Sequence, residues 1–480
     1  MFDQITEFLS KEGWLNEHLA LVNNFIWEWN WHSIIVVLVL CGIYFTIRTR
    51  FVQFRMFPEM CRLLVESSPK DKTKNYVSSF QAFAVSVATR VGTGNLAGVA
   101  GAIAIGGPGA VFWMWVMALV GSATAFVEST LAQLFKRRSE ESFIGGPAYY
   151  ILHGLHSRWM SALFAVLLIL TFGLSYNSIQ SNTIAGAMLT AFNLDPALVG
   201  MMLTVIALVI VFGGIHRIAK FSSAIVPVMA IGYLLLAIVV LVMNYEKIPE
   251  MFSLIVKSAF GIGPVAGGMV GAAMSNGIKR GLFSNEAGEG SAPNVAATAS
   301  VSHPVKQGLI QALGVFADTL LVCSCTAFII LISGLFNSGA FGIELTQNAL
   351  ESQIGSAGQI FVAIAILFFA FSSIIGNYYY GEANIMFLTR KKWVLQVFRV
   401  LSGGVMVMIG ALASLDVVWS LGEVFMAILT LCNLIAIVLL GKYAFKLLAD
   451  YRAQKKCGIK SPTFKKSLFP KIQKDLDAWD

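Results

Sequence analysis

Charged side chains are scarce in this sequence. Asp, Glu, Lys and Arg make up 12% of its 480 residues, whereas soluble domains average about 25%. Hydrophobic residues account for 57%, and the mean hydropathy is +0.73. This composition excludes a soluble globular domain, so we expect an all-α membrane protein that crosses the lipid bilayer many times.

Cysteine and histidine are also rare. The six cysteines lie in apolar or basic surroundings without the spacing of metal ligands, so we expect neither a disulfide nor a metal cluster. Of the six histidines, four fall in or near predicted loops, which argues against a membrane-embedded enzyme with a nucleophile and a base. We therefore expect no catalytic residues and no cofactor. The N-terminus lacks the features of a cleaved signal peptide.

Apolar runs long enough to cross about 30 Å of hydrocarbon recur along the chain. We count about eleven transmembrane helices, the first of which is a leading helix. The spans are predicted at about residues 24–47, 79–105, 109–135, 158–192, 197–211, 221–243, 263–287, 307–336, 358–387, 393–412 and 417–439.

The connections between these spans differ in charge. Connections such as FKRRSEES, GGIHRIAK and LTRKK alternate with others that carry one lysine among them. Because positive loops face the cytoplasm, we expect the N-terminus outside and the C-terminus in the cytoplasm. From Lys442 onward, ten Lys or Arg stand against four Asp, so most of the net charge of +8 lies in the tail. We interpret this tail as lipid-facing and expect no nucleic-acid partner.

Two spans are interrupted by glycine-rich polar stretches. The second contains VGTGN at residues 91–95, and the seventh contains SNGIKRGLFSNEAGEG at residues 275–290. Each opens a block of five spans, and because five is odd the two blocks insert in opposite orientations. The predicted organisation comprises a leading segment, two five-helix repeats and a basic tail, at residues 1–76, 77–250, 251–445 and 446–480.

The VGTGN stretch is typical of an unwound helix at a transport site. An unwound helix in hydrocarbon leaves backbone groups without partners at several kcal/mol each, so unwinding requires neighbouring protein, water or a ligand. Free carbonyls then suit a cation, and free amides suit a carboxylate. We assign substrate contacts to Thr93, Gly94 and Asn95. The alternative is close helix packing, since Gly94 and Gly98 form a GxxxG pair.

The seventh span adds further candidates. Asn276 and Gly277 form a turn-prone pair, and with Phe283 they are placed to face a ligand. Charged residues within a span must face protein or water rather than lipid. We expect the next group to line a cytoplasmic vestibule as gate charges or solvated residues: Lys279, Arg280, Glu286 and Glu289. Arg90, beside the first break, is expected to serve a gate or a structural ion pair.

Two polar clusters interrupt other spans. Asn177 and Gln180 lie on one face of the fourth span, and Ser372 and Ser373 are adjacent hydroxyls in the ninth. Sodium prefers several carbonyl and hydroxyl oxygens, which paired serines opposite an unwound backbone would supply. The alternative for both clusters is hydrogen bonding between helices, worth about 0.6 kcal/mol on average in membranes.

The stretches FQAFAVSVATRVGTGNLAGVAGAIAIGGPGAVFWMW and NGIKRGLFSNEAGEGSAPNVAATA resemble the alanine or glycine:cation symporter family, also called the sodium:alanine symporter family. The resemblance extends over nearly the whole chain. It implies the inverted-repeat fold of neurotransmitter:sodium symporters in a bacterial inner membrane. It also implies uptake of small neutral amino acids with sodium or protons. By the same likeness, sodium is held by carbonyls near Ala88 and Val91 with Ser372 and Ser373. From the polar cluster of the fourth span, we also assign Gln180 as a substrate contact.

Other functions remain open at this stage. A cation channel also uses carbonyl ligands, but no segment resembles a selectivity-filter strand. A sensor derived from a transporter would keep the fold and lose turnover. Glycine, L-alanine, D-alanine and serine differ by about one group, worth about 1 to 3 kcal/mol in a pocket. The sequence therefore does not choose among them, nor does it exclude glutamine.

Overall fold

Helices form most of the structure, a computed structural model that describes residues 14–27, 33–66, 77–139, 143–262 and 268–479. The first half of the chain contains α1 (Trp14–Trp27), α2 (Ile34–Arg48), α3 (Val52–Arg55), α4 (Phe57–Leu64), α5 (Ser79–Arg90), α6 (Val99–Gly106), α7 (Gly109–Leu134), α8 (Pro147–Gly154), α9 (Arg158–Leu168), α10 (Asn177–Phe192), α11 (Pro196–Val211) and α12 (Gly214–Met243). The second half contains α13 (Ile248–Ala259), α14 (Gly268–Asn285), α15 (Ala292–Ala296), α16 (Pro304–Val315), α17 (Ser324–Ser333), α18 (Ile343–Ile354), α19 (Ser356–Leu388), α20 (Lys392–Val400), α21 (Met406–Leu412) and α22 (Leu415–Lys456).

Shorter elements join these helices. Wider π-helical turns occupy Gly94–Gly98, Ile169–Tyr176, Phe316–Cys323 and Leu401–Val405. Short 3₁₀ turns occupy Tyr245–Lys247, Leu335–Asn337, Lys466–Leu468 and Pro470–Asp475. A small antiparallel ladder pairs β1 (Arg137–Arg138) with β2 (Phe143–Ile144).

Seven helical segments within the described residues are long and apolar enough to cross a membrane. They are Gly109–Leu134, Arg158–Phe192, Lys220–Met243, Pro304–Ser333, Ser356–Leu388, Lys392–Leu412 and Leu415–Lys456. Shorter apolar helices at Ile34–Arg48, Gly94–Gly106 and Pro196–Val211 overlie further predicted spans. The chain is thus a helical membrane protein with several spans, whereas the count of eleven crossings stays a prediction.

The leading span begins later than predicted. Helix α2 starts at Ile34, behind Ser33, whose hydroxyl accepts a hydrogen bond from a backbone N–H of the first turn. The preceding residues form the separate helix α1, which packs on α22. There the Trp27 indole N–H donates to the Glu423 carbonyl at 3.3 Å. The basic stretch PKDKTK at residues 69–74, which follows the leading span, lies outside the described residues. The predicted start of the seventh span, at 263–267, lies outside them as well.

The second helix break lies within the predicted stretch 275–290, but the turn expected at Asn276 and Gly277 is not formed. Helix α14 continues through Asn276 and Gly277, because the Asn276 amide donates to the Ala272 carbonyl of its own helix at 3.0 Å. A Cβ on Gly277 would lie 2.7 Å from Trp113 Cβ, so this glycine allows α14 to approach α7. The chain leaves the helix only after Asn285, where Glu286, Gly288 and Gly290 adopt φ of 55°, 99° and 81°.

The C-terminal tail folds back onto the protein, although the sequence suggested a lipid-facing segment. The Trp479 ring is 7% exposed, and its indole N–H donates to the Gln133 and Leu134 carbonyls at 3.1 and 3.2 Å. The Phe464 N–H donates to the Ser302 carbonyl at 2.9 Å. The tail therefore packs against the end of α7 and the segment before α16.

Candidate functional site

The first helix break lies where the sequence predicts it. Helix α5 ends at Arg90, and Val91 leaves the helical path with ψ of 88°. Side-chain oxygens then accept hydrogen bonds from the freed backbone amides. The Gly92 N–H donates to Asn95 Oδ1 at 2.9 Å, and the Thr93 N–H donates to Gln180 Oε1 at 3.0 Å. The structure thus brings Gln180 to the VGTGN stretch and buries the whole group.

The two adjacent serines of α19 face the end of α5. The Ser373 hydroxyl donates to the Ala88 carbonyl at 2.8 Å, and the Ser372 hydroxyl donates to it at 3.4 Å. The Phe369 carbonyl is a second acceptor for both hydroxyls, at 2.8 Å from Ser372 Oγ and 3.1 Å from Ser373 Oγ. Two hydroxyls and two carbonyls therefore converge beside Val91, and neutral oxygens of this kind suit a monovalent cation. The sequence does not indicate the Phe369 carbonyl, because every residue has a backbone oxygen and the fold determines which one reaches the site.

A buried acid beside the first helix break was not among the residues predicted from the sequence. Asp318 lies in the π-helical turn Phe316–Cys323 and is fully buried. The Asn95 amide donates to Asp318 Oδ1 at 2.7 Å, while the hydroxyls of Ser284 and Thr319 donate to Oδ2 at 2.8 and 3.0 Å. An aspartate within the apolar run GVFADTLLVC was a usable signal, since ionisable residues within a span are functional candidates.

The two broken helices touch at Gly94. A Cβ on Gly94 would lie 3.0 Å from Ser284 Cα and 3.1 Å from Phe283 Cδ1. The Phe283 ring in turn packs between two aromatic rings that the sequence analysis did not select. Its centroid lies 4.7 Å from that of Trp419 and 4.8 Å from that of Tyr176. The predicted residues Gly94 and Phe283 therefore meet, beside an aromatic wall.

Two of the predicted gate charges form a buried ion pair. Lys279 Nζ and Arg280 Nη2 lie 3.0 and 2.9 Å from the Glu423 carboxylate oxygens. The Arg280 guanidinium also stacks over the Trp419 ring at 4.0 Å. The interpretation as solvated vestibule residues is thus wrong for these two, because both pair with Glu423 of α22, whereas their role as gate charges stays a prediction.

The other predicted charges lie at and beyond the breaks. Glu286 accepts hydrogen bonds from the hydroxyls of Ser291 at 2.5 Å and Thr89 at 3.5 Å. Glu289 accepts from the Tyr176 hydroxyl at 3.4 Å. Arg90 Nη1 donates to the Gln311 carbonyl at 3.2 Å, and the described residues include no ion-pair partner for it. In the sequence, Arg280 precedes Phe283 and Glu286 follows it.

Asn276, Gly277 and Asn177 are not brought to the breaks. The first two belong to the continuous part of α14 described above. The Asn177 amide donates to the Ser402 hydroxyl at 3.0 Å, which is a contact between α10 and the π-helical turn Leu401–Val405. The alternative reading as helix-to-helix hydrogen bonding therefore fits Asn177, whereas Gln180 on the same helix reaches the broken backbone.

Comparison with known proteins places this architecture in a family. A model described as "Sodium:alanine symporter family" matches residues 12–466. The chain belongs to the sodium:alanine symporter family. As a member, it is a cation-coupled amino-acid symporter and a membrane protein with several spans.

Relatives within the sodium:alanine symporter family carry different printed names. The chain is 50% identical to the probable sodium/glutamine symporter GlnT of Bacillus subtilis, over 96% of both chains. It is 48% identical to the amino-acid carrier protein AlsT of the same organism, over 98% of both chains. It is 35% identical to the sodium/alanine symporter AgcS of Methanococcus maripaludis, over 88% of this chain and 93% of that protein.

The fold is shared with solved transporters. The crystal structure of MhsT in complex with L-phenylalanine superposes with a TM-score of 0.56 at 15% sequence identity, and the match covers 84% of this chain and 93% of that one. A likeness at this identity concerns the fold alone. It confirms the predicted class, a helical LeuT-type transporter fold.

Proposed function

We propose that this protein takes up alanine or glycine together with sodium by alternating access in a bacterial inner membrane. The observation that carries this proposal is the convergence of Ala88, Ser372 and Ser373 beside a broken helix. Oxygens of two hydroxyls and a helix-terminal carbonyl form a ready set of ligands for sodium. The Val91 carbonyl lies three residues further along the chain, at the break.

The substrate is proposed to bind where the two breaks meet. Its carboxylate would take the amides of Gly92, Thr93 and Gly94, since free N–H groups at a helix start favour an anion. In the present structure, side-chain oxygens of Asn95 and Gln180 accept from two of those amides. The substrate carboxylate would therefore take the place of these two side-chain oxygens as the acceptor of the backbone hydrogen bonds.

The ammonium group of the substrate needs a negative partner. Asp318 accepts a short hydrogen bond from the Asn95 amide beside the first break, at 2.7 Å. We therefore assign the ammonium to Asp318, and we assign the substrate side chain to the wall of Phe283 and Trp419. The rings of this wall pack tightly, which favours a side chain no larger than a methyl group.

We assign the two gates of alternating access to two groups of charged side chains. The ion pair of Arg280 and Lys279 with Glu423 is proposed to close one side, and Arg90 with Glu286 is proposed to close the other. With the N-terminus outside and the C-terminus in the cytoplasm, the first is the outer gate. Residues 77–250 and 251–445 then form the two oppositely oriented repeats, between the leading segment 1–76 and the tail 446–480.

Glutamine is the second candidate substrate. GlnT, the probable sodium/glutamine symporter, is more similar to this chain than the sodium/alanine symporter AgcS is. Competition decides between them. Under this proposal, a tenfold excess of unlabelled L-alanine removes most of the labelled alanine uptake, and the same excess of L-glutamine leaves most of it. The reverse order would assign the site to glutamine.

Sodium binding is tested by replacing one hydroxyl. We expect Ser373→Ala to raise the sodium concentration for half-maximal uptake at least about tenfold, because one of the ligand oxygens is lost, worth roughly 1.4 kcal/mol. Ser181→Ala is the matched control. It also removes a buried serine that donates to another helix, to the Val407 carbonyl at 2.6 Å. Equal sodium dependence in both variants would remove these serines from the cation site.

A further inference from the structure

An apolar groove opens between the short helices α3 and α4 and the π-helical turn Phe316–Cys323. Its volume is about 470 Å³, and its walls include Phe54, Phe57, Leu313, Phe316 and Leu320. Its one polar side chain is Gln53, whose NH2 group donates to Thr46 Oγ1 at 3.0 Å and to the Leu119 carbonyl at 3.1 Å, while its Oε1 is buried. The groove therefore suits a hydrocarbon chain and offers little to a polar solute.

Three arginines gather beside this groove. Arg55 lies between Phe54 and Phe57 in the sequence, and its guanidinium donates to the Arg50 carbonyl at 3.2 Å. Arg452, from the end of α22, lies close enough to Arg50 and Arg55 for their charges to interact. Arg50 and Arg55 are exposed. Like charges held together in this way attract an anion.

Nearby carboxylates are already engaged. Glu59 Oε1 lies 2.8 Å from Arg62 Nη2 and 2.9 Å from Lys455 Nζ. Burial alone would raise the pKa of Glu59, but hydrogen bonds from Arg62, Tyr451 and Lys455 lower it to about 2. Glu66 pairs with Lys306 at 2.9 Å. Within the described ranges, the Arg50, Arg55 and Arg452 group thus has no ion pair with a carboxylate.

We infer that the groove and these three arginines form a binding site for an anionic phospholipid. One acyl chain lies along Phe54, Phe57 and Phe316, and the phosphate accepts hydrogen bonds from Arg50, Arg55 and Arg452. An apolar slot next to a cluster of arginines matches both parts of such a lipid. Zwitterionic lipids fit the slot equally well, but their headgroup adds an ammonium charge that the arginines repel.

The same π-helical turn connects this site to transport. Phe316 and Leu320 face the groove, whereas Asp318 in that turn binds Asn95 at the first helix break. The lipid therefore supports the wall that holds Asp318 in place. This second step rests on the proposed function, and the binding step does not.

The binding step is tested by native mass spectrometry of the full-length protein in detergent with added phosphatidylglycerol or phosphatidylethanolamine. Wild type should retain phosphatidylglycerol at least fivefold better than the double variant Arg55→Gln/Arg452→Gln. Arg48→Gln is the matched control, because Arg48 lies two residues from Arg50 but stacks over the Phe445 ring at 5.1 Å. It should retain phosphatidylglycerol like wild type.

Two further measurements define the ligand. Ala317→Phe, which fills the groove, should lower retention of both lipids without changing the arginines. Soluble glycerol 3-phosphate should not displace phosphatidylglycerol, and displacement would show a site for soluble anions instead. Equal retention of phosphatidylglycerol by wild type and the double variant, or an equal loss in Arg48→Gln, would overturn the inference.

The link to transport is tested in liposomes with and without phosphatidylglycerol. Addition of the anionic lipid should raise the alanine uptake rate of wild type at least threefold with little change in KM, and it should leave the double variant unchanged. An equal rise in both proteins would disprove the link. Because lipid retention is read without transport, absence of alanine uptake would count against the proposed function and not against the lipid site.

Discussion

Asn95 links the first broken helix to the buried acid Asp318 at the level of single atoms. Its carbonyl oxygen accepts from the Gly92 amide, and its amide group donates to Asp318. The same side chain therefore caps the unwound backbone and fixes the buried acid. The sequence indicated Asn95 because a polar residue beside two glycines in an apolar span is unusual. It could not indicate Asp318 as the partner, since 223 residues separate them.

Removal of this side chain should affect transport far more than folding. We expect Asn95→Ala to reduce sodium-coupled uptake about 100-fold, because it leaves buried groups without partners at roughly 3 kcal/mol. Asn182→Ala is the control, since Asn182 in the same bundle donates to the Gly410 and Ala413 carbonyls between helices. Uptake is measured in proteoliposomes at equal protein content. Near wild-type uptake by Asn95→Ala would contradict its role.

Asp318 provides a second prediction at this scale. Asp318→Asn keeps the size of the side chain and removes its charge, so alanine affinity should fall about 30-fold with the loss of a charge-assisted hydrogen bond of roughly 2 kcal/mol. Equilibrium binding of labelled alanine to the purified protein measures this. Asp195→Asn, which changes an exposed helix cap, should bind like wild type. An unchanged affinity in Asp318→Asn would place the ammonium elsewhere.

The helix breaks show what local sequence can and cannot predict about an element. The VGTGN break was predicted correctly because two glycines flank a threonine and an asparagine follows. The second break lies in the predicted stretch, but the turn at Asn276 and Gly277 was wrong, because Asn276 bonds within its own helix and Gly277 contacts α7. The π-helical turns were not predicted, since an extra residue per turn leaves little trace in the hydrophobic pattern.

The glycines of the first break allow a test between unwinding and packing. Gly94→Ala should abolish uptake, because its Cβ would press on the Ser284 backbone at 3.0 Å, which cannot move like a side-chain tip. Gly98→Ala should retain uptake within about twofold, because the nearest atoms lie at 3.7 and 3.8 Å. Both variants are compared in the same uptake assay. Equal loss in both would favour a GxxxG packing role for the pair.

At the scale of the whole molecule, composition and family resemblance predicted the class and fold well. The scarcity of charge gave the membrane class, and the two long motifs gave the family. The packing of the tail was not predicted, because it depends on Trp479 meeting carbonyls at the end of α7. The ion pair of Arg280 with Glu423 was not predicted either, since 143 positions separate the two residues along the chain. Contacts of this kind depend on tertiary structure.

The central claim is sodium-coupled accumulation, and one measurement tests it most directly. Radiolabelled alanine uptake is followed in proteoliposomes of the purified protein, with an inward sodium gradient in one set and a proton gradient alone in the other. We predict that alanine accumulates above its outside concentration under the sodium gradient, and that dissipation of the gradient releases it. Absence of accumulation under the sodium gradient, in protein shown to be folded, would contradict the account.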